Sequence, residues 1–348
     1  MKKHPRAIDL FSGAGGLTEG LKQAGYMVLG AVELDPVACH TYRLNHKQVK
    51  LWELDIRLLH GEAILTALDL KPGELDLLAA CPPCQGFSRM RTKNGTQKNR
   101  DERNDLVFEV LRLIKLLKPK SVMLENVPGL ANDRRFKSLI KELVYLGYFI
   151  NWDILNAVDY AVPQRRRRLI LLASQIGTPW FASQERPHRT VRQAIGRVTS
   201  PSRSRDPLHN YSTDRSEKVK ALIQAIPSDG GSRNALGLDA QLACHRRVDG
   251  FRDVYGRMAW DKPAPTITGG CISPSKGRFL HPTENRAITL REAALLQTFP
   301  QSYRFPLEKG RYLVALMIGN ALPPAFISRH ATALRELSER GIRSGRGK

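Results

Sequence analysis

Three kinds of side chain in this sequence could do chemistry together: a thiol, a carboxylate and a run of guanidiniums. The stretch "CPPCQGFS" (81–88) holds Cys81 and Cys84 around two prolines. A Cys-x-x-Cys can be a redox pair, half of a zinc site, or the setting of a single nucleophile. A thioredoxin-like pair would open a helix, whereas here a glycine, a phenylalanine and a long polar loop follow. Zinc asks for about four ligands, and with no second Cys-x-x-Cys or His pair to complete a site no metal is expected. Glu125 lies in "MLENVPGL" (123–130), just after a short apolar run. A partly buried glutamic acid with a raised pKa can donate a proton to a bound base. "PQRRRRLILLA" (163–173) sets four arginines against another apolar run. Strand alternation puts Arg166 and Arg168 on one face, where they read as clamps for phosphate or carboxylate. Residues 89–103, "RMRTKNGTQKNRDER", form a cationic loop able to close over a polyanion.

The elements that must position these groups alternate between strand and helix. Apolar runs at 7–11, 27–32, 75–80, 121–124 and 169–173 read as buried strands. Helical spacing is expected over 16–24, 105–117 and 136–147, and again over 290–299 and 325–341. Sequence of helical character also runs toward "LDI" (54–56). This alternation predicts an α/β fold with an open, mostly parallel, Rossmann-like sheet. Ligands bind such sheets outside the carboxyl ends of the strands. The glycine turn after residue 11, Glu33, Asp55, Cys84 and Glu125 all follow predicted strands, so one sheet edge should gather them.

"DLFSGAGGLTEG" (9–20) places Gly13, Gly15 and Gly16 directly after the first strand. Glycines there allow a tight turn and close approach of a ligand. Glu33 follows 20 residues after Gly13, at the end of the next strand, where a carboxylate can accept both ribose hydroxyls. No Gly-Lys-Ser/Thr grips a phosphate, so the adenosyl ligand suggested is S-adenosyl-L-methionine.

Composition narrows the class further. The 348 residues carry 55 Lys plus Arg against 33 Asp plus Glu, a net charge of +22. That excess favours a polyanionic partner, since each neutralised phosphate releases counterions. Five cysteines are too few and too scattered for a disulfide framework. No apolar run approaches a membrane span and no signal peptide is read, so a cytosolic protein is expected. From 175 to 275 the chain turns rich in Arg, Ser, Pro and Gly, which predicts a second, irregular and basic domain. The expected boundaries are 1–174 plus 310–348 for the first domain and 175–309 for the second.

Taken in order, "DLFSGAGG", "ELD" (33–35), "PPCQGFS", "ENV" (125–127), "QRRRR" (164–168), "REAALLQTFP" (291–300) and "IGNALPP" (318–324) resemble the DNA (cytosine-5) methyltransferase family, bacterial and phage modification type. The resemblance spans nearly the whole chain and implies roles residue by residue. Cys84 matches the nucleophile, and Cys81 matches no role. Glu125 matches the carboxylate that engages the flipped cytosine, Arg168 the arginine that supports base and carboxylate, with Arg166 beside it. Phe11, Ser12, Gly13, Gly15, Gly16, Glu33, Leu34, Asp55, Ile56, Pro83, Leu106 and Asn320 fall at cofactor positions. The family often has an aromatic residue where Leu34 stands. Gln85, Gly86, Ser88, Arg89, Pro265 and Thr266 fall at positions facing DNA.

The implied activity is methyl transfer from S-adenosyl-L-methionine, leaving S-adenosyl-L-homocysteine, to carbon 5 of a cytosine in double-stranded DNA. The second domain is then the reader of the target sequence. A monomer in the bacterial cytosol, associated with the nucleoid and paired with a separately acting restriction or defence nuclease, is the expected setting. A tRNA cytosine methyltransferase and an inactive DNA-binding paralogue are the alternatives. The first lacks its expected Cys-Phe-Thr signature, and the intact Pro-Cys-Gln, Glu-Asn-Val and Arg-x-Arg oppose the second.

Overall fold

The computed structural model describes residues 4–83, 105–211, 213–237 and 253–345. Contacts divide the chain into two compact units: one of residues up to Tyr160, Arg167–Gln184 and Pro323 onward, the other of Ala161–Arg166 and Glu185–Leu322. The two main boundaries thus fall at 184/185 and 322/323, some ten residues beyond the sequence-based boundaries, and the chain also crosses at 160/161 and 166/167, where a short piece just before the "RRLILLA" strand joins the second unit.

In the first unit, β1 (Arg6–Leu10), β2 (Met27–Glu33), β3 (Lys50–Glu53), β4 (Leu77–Ala80), β5 (Ser121–Asn126), β6 (Phe149–Asn156) and β7 (Arg167–Ser174) form one sheet among the described residues. Their order is β3-β2-β1-β4-β5-β7-β6. Neighbours from β3 to β5 run parallel, and β7 is antiparallel to both β5 and β6. The chain winds outward from β1 to β3, then returns past β1 to β4 and β5. That reversal opens a crevice at the carboxyl ends of β1 and β4.

The parallel strands β4 and β5 are buried along their whole length, which is why they read as unbroken apolar runs. Helices α1 (Gly16–Gln23), α2 (Pro36–Asn45), α3 (Gly61–Leu68), α4 (Leu106–Leu117) and α5 (Arg134–Tyr145) cover the strands. Leu106, Val107, Val110, Leu111, Leu113, Ile114 and Leu117 of α4 are all buried, one stripe at helical spacing. Three elements were not expected from sequence: β3, α3 and the edge strand β6.

The second unit is irregular, as its composition predicted. Its helices α6 (Val191–Ile195), α7 (Glu217–Ala225), α8 (Leu290–Leu296) and α9 (Arg311–Asn320) are short. Thr190 and Thr289 cap α6 and α8 with reciprocal Thr–Gln193 and Thr–Glu292 boxes. α10 (Pro324–Gly345) belongs to the first unit, where it packs on α1. Among the described residues no helix is long and apolar enough to cross a membrane.

Candidate active site

Register places the sequence-predicted groups of the first unit along one edge. Leu10 pairs with Ala80 and Ala80 with Leu124, so the chain leaving β1, the Cys81 that follows β4 and Glu125 of β5 stand side by side. The Cys81 amide donates to the Leu10 carbonyl at 3.2 Å. β7 lies next to β5, with Ile170 opposite Glu125. From two residues earlier on β7, Arg168 Nε reaches Glu125 Oε1 at 2.8 Å. Both side chains are largely buried, so this ion pair is shielded from solvent in a way surface pairs are not. Removing the arginine would leave a desolvated carboxylate.

Cys84, Gln85, Gly86, Ser88 and Arg89, with the whole cationic stretch 89–103, lie outside the described residues. What precedes Cys84 is described, and it is fixed. Asn126 is 3 % exposed and donates from Nδ2 to the Pro82 carbonyl at 3.0 Å, while its Oδ1 accepts from the Val127 amide at 2.8 Å. One side chain thus ties the diproline to the strand that carries Glu125. Sequence reading assigned Asn126 no part; its position directly after the carboxylate was the available signal. Cys81 is a free thiol whose pKa is raised well above the ordinary value, first by desolvation and then by the negative charge of Glu125 and Asp9. It is held as a neutral thiol, which suits packing and not nucleophilic attack.

The glycine turn is built around Glu33. Gly13 donates its amide to Glu33 Oε2 at 2.7 Å, and Leu34 and Asp35 donate theirs to Oε1 at 2.9 and 2.8 Å. Gly13 and Gly15 have φ of +53° and +93°, and Phe11 adopts +62°, a left-handed conformation that a bulky residue rarely takes. Beneath the turn, Thr18 donates to Asp9 Oδ2 at 2.7 Å and pairs with the Tyr42 hydroxyl at 2.8 Å. Burial pushes the Asp9 carboxyl up to about 8, partly offset by the Thr18 hydrogen bond.

Space and unsatisfied polarity at this turn fit an adenosyl ligand. A Cβ on Gly13 would meet nothing within 4 Å, and the buried Ser12 hydroxyl has no hydrogen-bond partner among the described residues. Gly16 opens α1, Leu34 is 60 % exposed beside Glu33, and Asp55 follows β3 as the next carboxylate along the edge. Ile56 and Leu106 are buried in the core cluster against which Phe11 packs, and Pro83 is half-buried.

The remaining site residues belong to the second unit. Arg166 lies before β7 begins and is 3 % exposed. Its guanidinium donates to the carbonyls of Ile267 and Gly319 at 3.1 Å each, and to that of Asn320 at 3.5 Å. The expected strand face shared by Arg166 and Arg168 therefore does not form: Arg166 braces loops where Arg168 holds a carboxylate. Pro265 and Thr266 are built onto the same segment, for Arg165 donates to Ala264 O at 2.9 Å and Thr266 Oγ1 donates to Arg165 O at 2.6 Å. Gln164 accepts from the Ile267 amide and donates to Leu296 O and Gln297 Oε1, and Gln297 in turn donates to Ile318 O and Ala321 O. This buried glutamine pair knots together four segments that are far apart in sequence. Gly319 must be glycine here, since a Cβ would sit 2.1 Å from the Thr268 carbonyl carbon.

Comparisons agree with this arrangement. A family model described as C-5 cytosine-specific DNA methylase matches residues 6–336. The chain is 37% identical over 333 residues to the Type II methylase M.HgiDII of Herpetosiphon aurantiacus, covering 91% of each. It is 32% identical to the Type II methyltransferase M1.HphI of Haemophilus parahaemolyticus, covering 95% of this chain and 87% of that one. Its fold is that of a protein described as a DNA modification methyltransferase from an E. coli prophage, with a TM-score of 0.74 at 23% identity over 96% of this chain and 99% of that one. The S. pombe Dnmt2 methyltransferase has the same fold, with a TM-score of 0.65 at 20% identity over 96% and 99%. From the glycine turn through the Glu125–Arg168 pair to the glutamine knot, the chain belongs to the C-5 cytosine-specific DNA methylase family.

Proposed function

We propose that this protein methylates carbon 5 of a cytosine within a specific duplex DNA sequence. The methyl donor is S-adenosyl-L-methionine, bound at the glycine turn and Glu33, and the product is S-adenosyl-L-homocysteine. The observation that carries the reading is the buried Glu125–Arg168 pair, in register beside the strand end that leads to Cys84. The Type II methylases among its relatives support a modification enzyme; its proposed setting is the cytosol, as a monomer, with a nuclease that acts separately.

The residues divide the work as follows. Carbon 5 of cytosine is a poor nucleophile. Attack of the Cys84 thiolate on carbon 6 forms a C–S bond and moves an electron pair onto carbon 5. Glu125, oriented by Arg168, is protonated when the base is bound; it donates that proton toward ring nitrogen 3, neutralising the negative charge that develops there, and takes it back when the ring is restored. The bound donor supplies an electrophilic methyl on its sulfonium. Loss of the carbon 5 proton to a base then expels the Cys84 thiolate and restores the ring. Covalent catalysis of this kind splits one hard step into two easier ones. The base must first leave the duplex, at a cost of a few kcal/mol. The stretch 89–103 is the proposed lid. The second unit, with Pro265 and Thr266, is the proposed reader of the major groove. Arg166 is the brace of that reader, holding the 264–268 loop against the turn that carries Asn320.

Duplex DNA containing 5-fluorocytosine at the target tests the reading, because carbon 5 then carries no removable proton. With S-adenosylmethionine present, an adduct stable on denaturing gels is expected for the wild type and none for Cys84→Ser. No adduct on a DNA that the wild type methylates would overturn the covalent mechanism. Bisulfite sequencing of DNA from expressing cells identifies that target.

A further inference from the structure

The turn after β3 is held by two arginines to which no role has been given. Asp55 accepts from the Arg57 amide at 3.0 Å, from Arg57 Nε at 3.1 Å on each oxygen, and from Arg57 Nη2 at 2.8 Å. Hydrogen bonding from Arg57 lowers the Asp55 pKa below its ordinary value, so the group is a carboxylate. Arg112, from α4, donates through Nη2 to the carbonyls of Ile56 at 2.9 Å and Leu59 at 3.0 Å. Its own Nε is fixed on Glu109 at 2.7 Å. One arginine thus sets the plane of the Asp55 carboxylate and the other sets the backbone that carries it. The Arg57 pair is half-exposed, and such pairs add little to stability, about 0–1 kcal/mol. A planar fork gripping both oxygens is better suited to fixing direction.

Direction matters for what lies along this edge. The nucleoside of the proposed ligand offers the ribose hydroxyls and one exocyclic amine as donors. Glu33, over the glycine turn, is placed for the hydroxyls. Leu54 donates its amide to Glu33 O at 3.1 Å, so Asp55 begins one residue beyond, on the side of β2 away from β1 and β4. A carboxylate there accepts from the amine of the base, and it repels a base bearing a carbonyl oxygen at that position.

We propose that Arg57 and Arg112 are positioning residues for adenine selection: Arg57 aims the Asp55 carboxylate at the exocyclic amine, and Arg112 pins the Ile56–Leu59 turn beneath it. The inference rests on the reading of Asp55 as a cofactor contact. Only the aimed carboxylate distinguishes an amine from a carbonyl, whereas the pinned turn serves any base.

The test is the dissociation constant of S-adenosylhomocysteine against that of S-inosylhomocysteine, by calorimetry on the full chain. Arg57→Ala is expected to lower the preference for adenosyl about fivefold, a part of the roughly tenfold or more that one hydrogen bond to a charged group is worth, because the carboxylate is misaimed rather than removed. Arg57→Lys, which keeps the charge without the fork, should recover less than half of that loss. Arg112→Ala should weaken both ligands by the same factor and leave their ratio alone. Asp55→Asn is measured beside them. If Asp55→Asn abolishes the preference while both Arg57 variants keep it, the positioning role is wrong and the Asp55 reading stands. If Asp55→Asn itself leaves the preference intact, the Asp55 reading falls and the inference falls with it.

Discussion

Glu125 shows how much of the chemistry rests on single side chains. It has one described arginine on Oε1, and its neighbour Asn126 controls the backbone ahead of the nucleophile. Glu125→Gln keeps the shape and loses the transferable proton, so kcat should fall by about 10²–10⁴-fold, the usual worth of a positioned acid or base, in a steady-state methylation assay. Cys84→Ser should abolish methyl transfer, while Cys81→Ser should retain most of it, because burial holds the Cys81 thiol neutral. Equal loss in the two serine variants would restore a paired-cysteine role.

A residue far from the chemistry governs acid stability. His330 is fully buried among the rings of Tyr160, Phe181 and Phe326, and desolvation lowers its pKa to about 3. The unfolded chain takes up this proton near pH 6.5 while the folded chain refuses it. Its contribution to stability is therefore complete above pH 6.5 and is lost as pH falls toward 3, by up to about 1.4 kcal/mol per pH unit. His330→Phe should flatten the fall in melting temperature between pH 6.5 and 5.

At the scale of elements, α1 and α10 approach closely because Gly20 lacks a side chain. A Cβ there would lie 2.6 Å from both Ile327 Cβ and the Pro324 carbonyl. Gly20→Ala should cost about 1–3 kcal/mol of stability by overpacking, read from thermal melts, and should weaken cofactor binding because α1 opens from the glycine turn. The elements legible in the sequence were those buried on both faces or amphipathic over several turns, such as β4, β5 and α4. β3 was not legible: four residues, "KLWE", begin and end on a charge at the sheet's edge. β6 was missed for a related reason. Its outer face meets solvent, with Phe149 half-exposed and Asp153 exposed, so "FINWDILN" shows no clean alternation. The motif residues of the site were legible because their types are chemically restrictive. Arg112 and Asn126 were not, because the carbonyls they hold, those of Ile56, Leu59 and Pro82, are brought near only by the fold; Arg57 grips Asp55 two residues away, and that spacing alone does not mark a role. Arg166 was misplaced by extending strand alternation one residue beyond where β7 begins.

At the scale of the whole molecule, a net charge of +22 makes DNA binding strongly dependent on salt. The logarithm of the binding constant should fall linearly with the logarithm of salt concentration, with a slope of about −0.9 for each phosphate neutralised. Nonspecific duplex should show most of this slope, and the cognate sequence should add affinity that changes little with salt. A flat salt response would mean that the positive charge faces elsewhere.

The first unit is assembled from three stretches of chain, and the last one to be synthesised covers the first helix. The Tyr26 hydroxyl donates to the Ala331 carbonyl at 3.3 Å, across 305 residues of sequence. On the ribosome, α1 and the turn before it must therefore wait for nearly the entire chain before their outer surface is covered. Contacts of such separation are among the slowest to form. Closure of the outer surface of α1, the helix that opens from the glycine turn, is consequently expected late in folding.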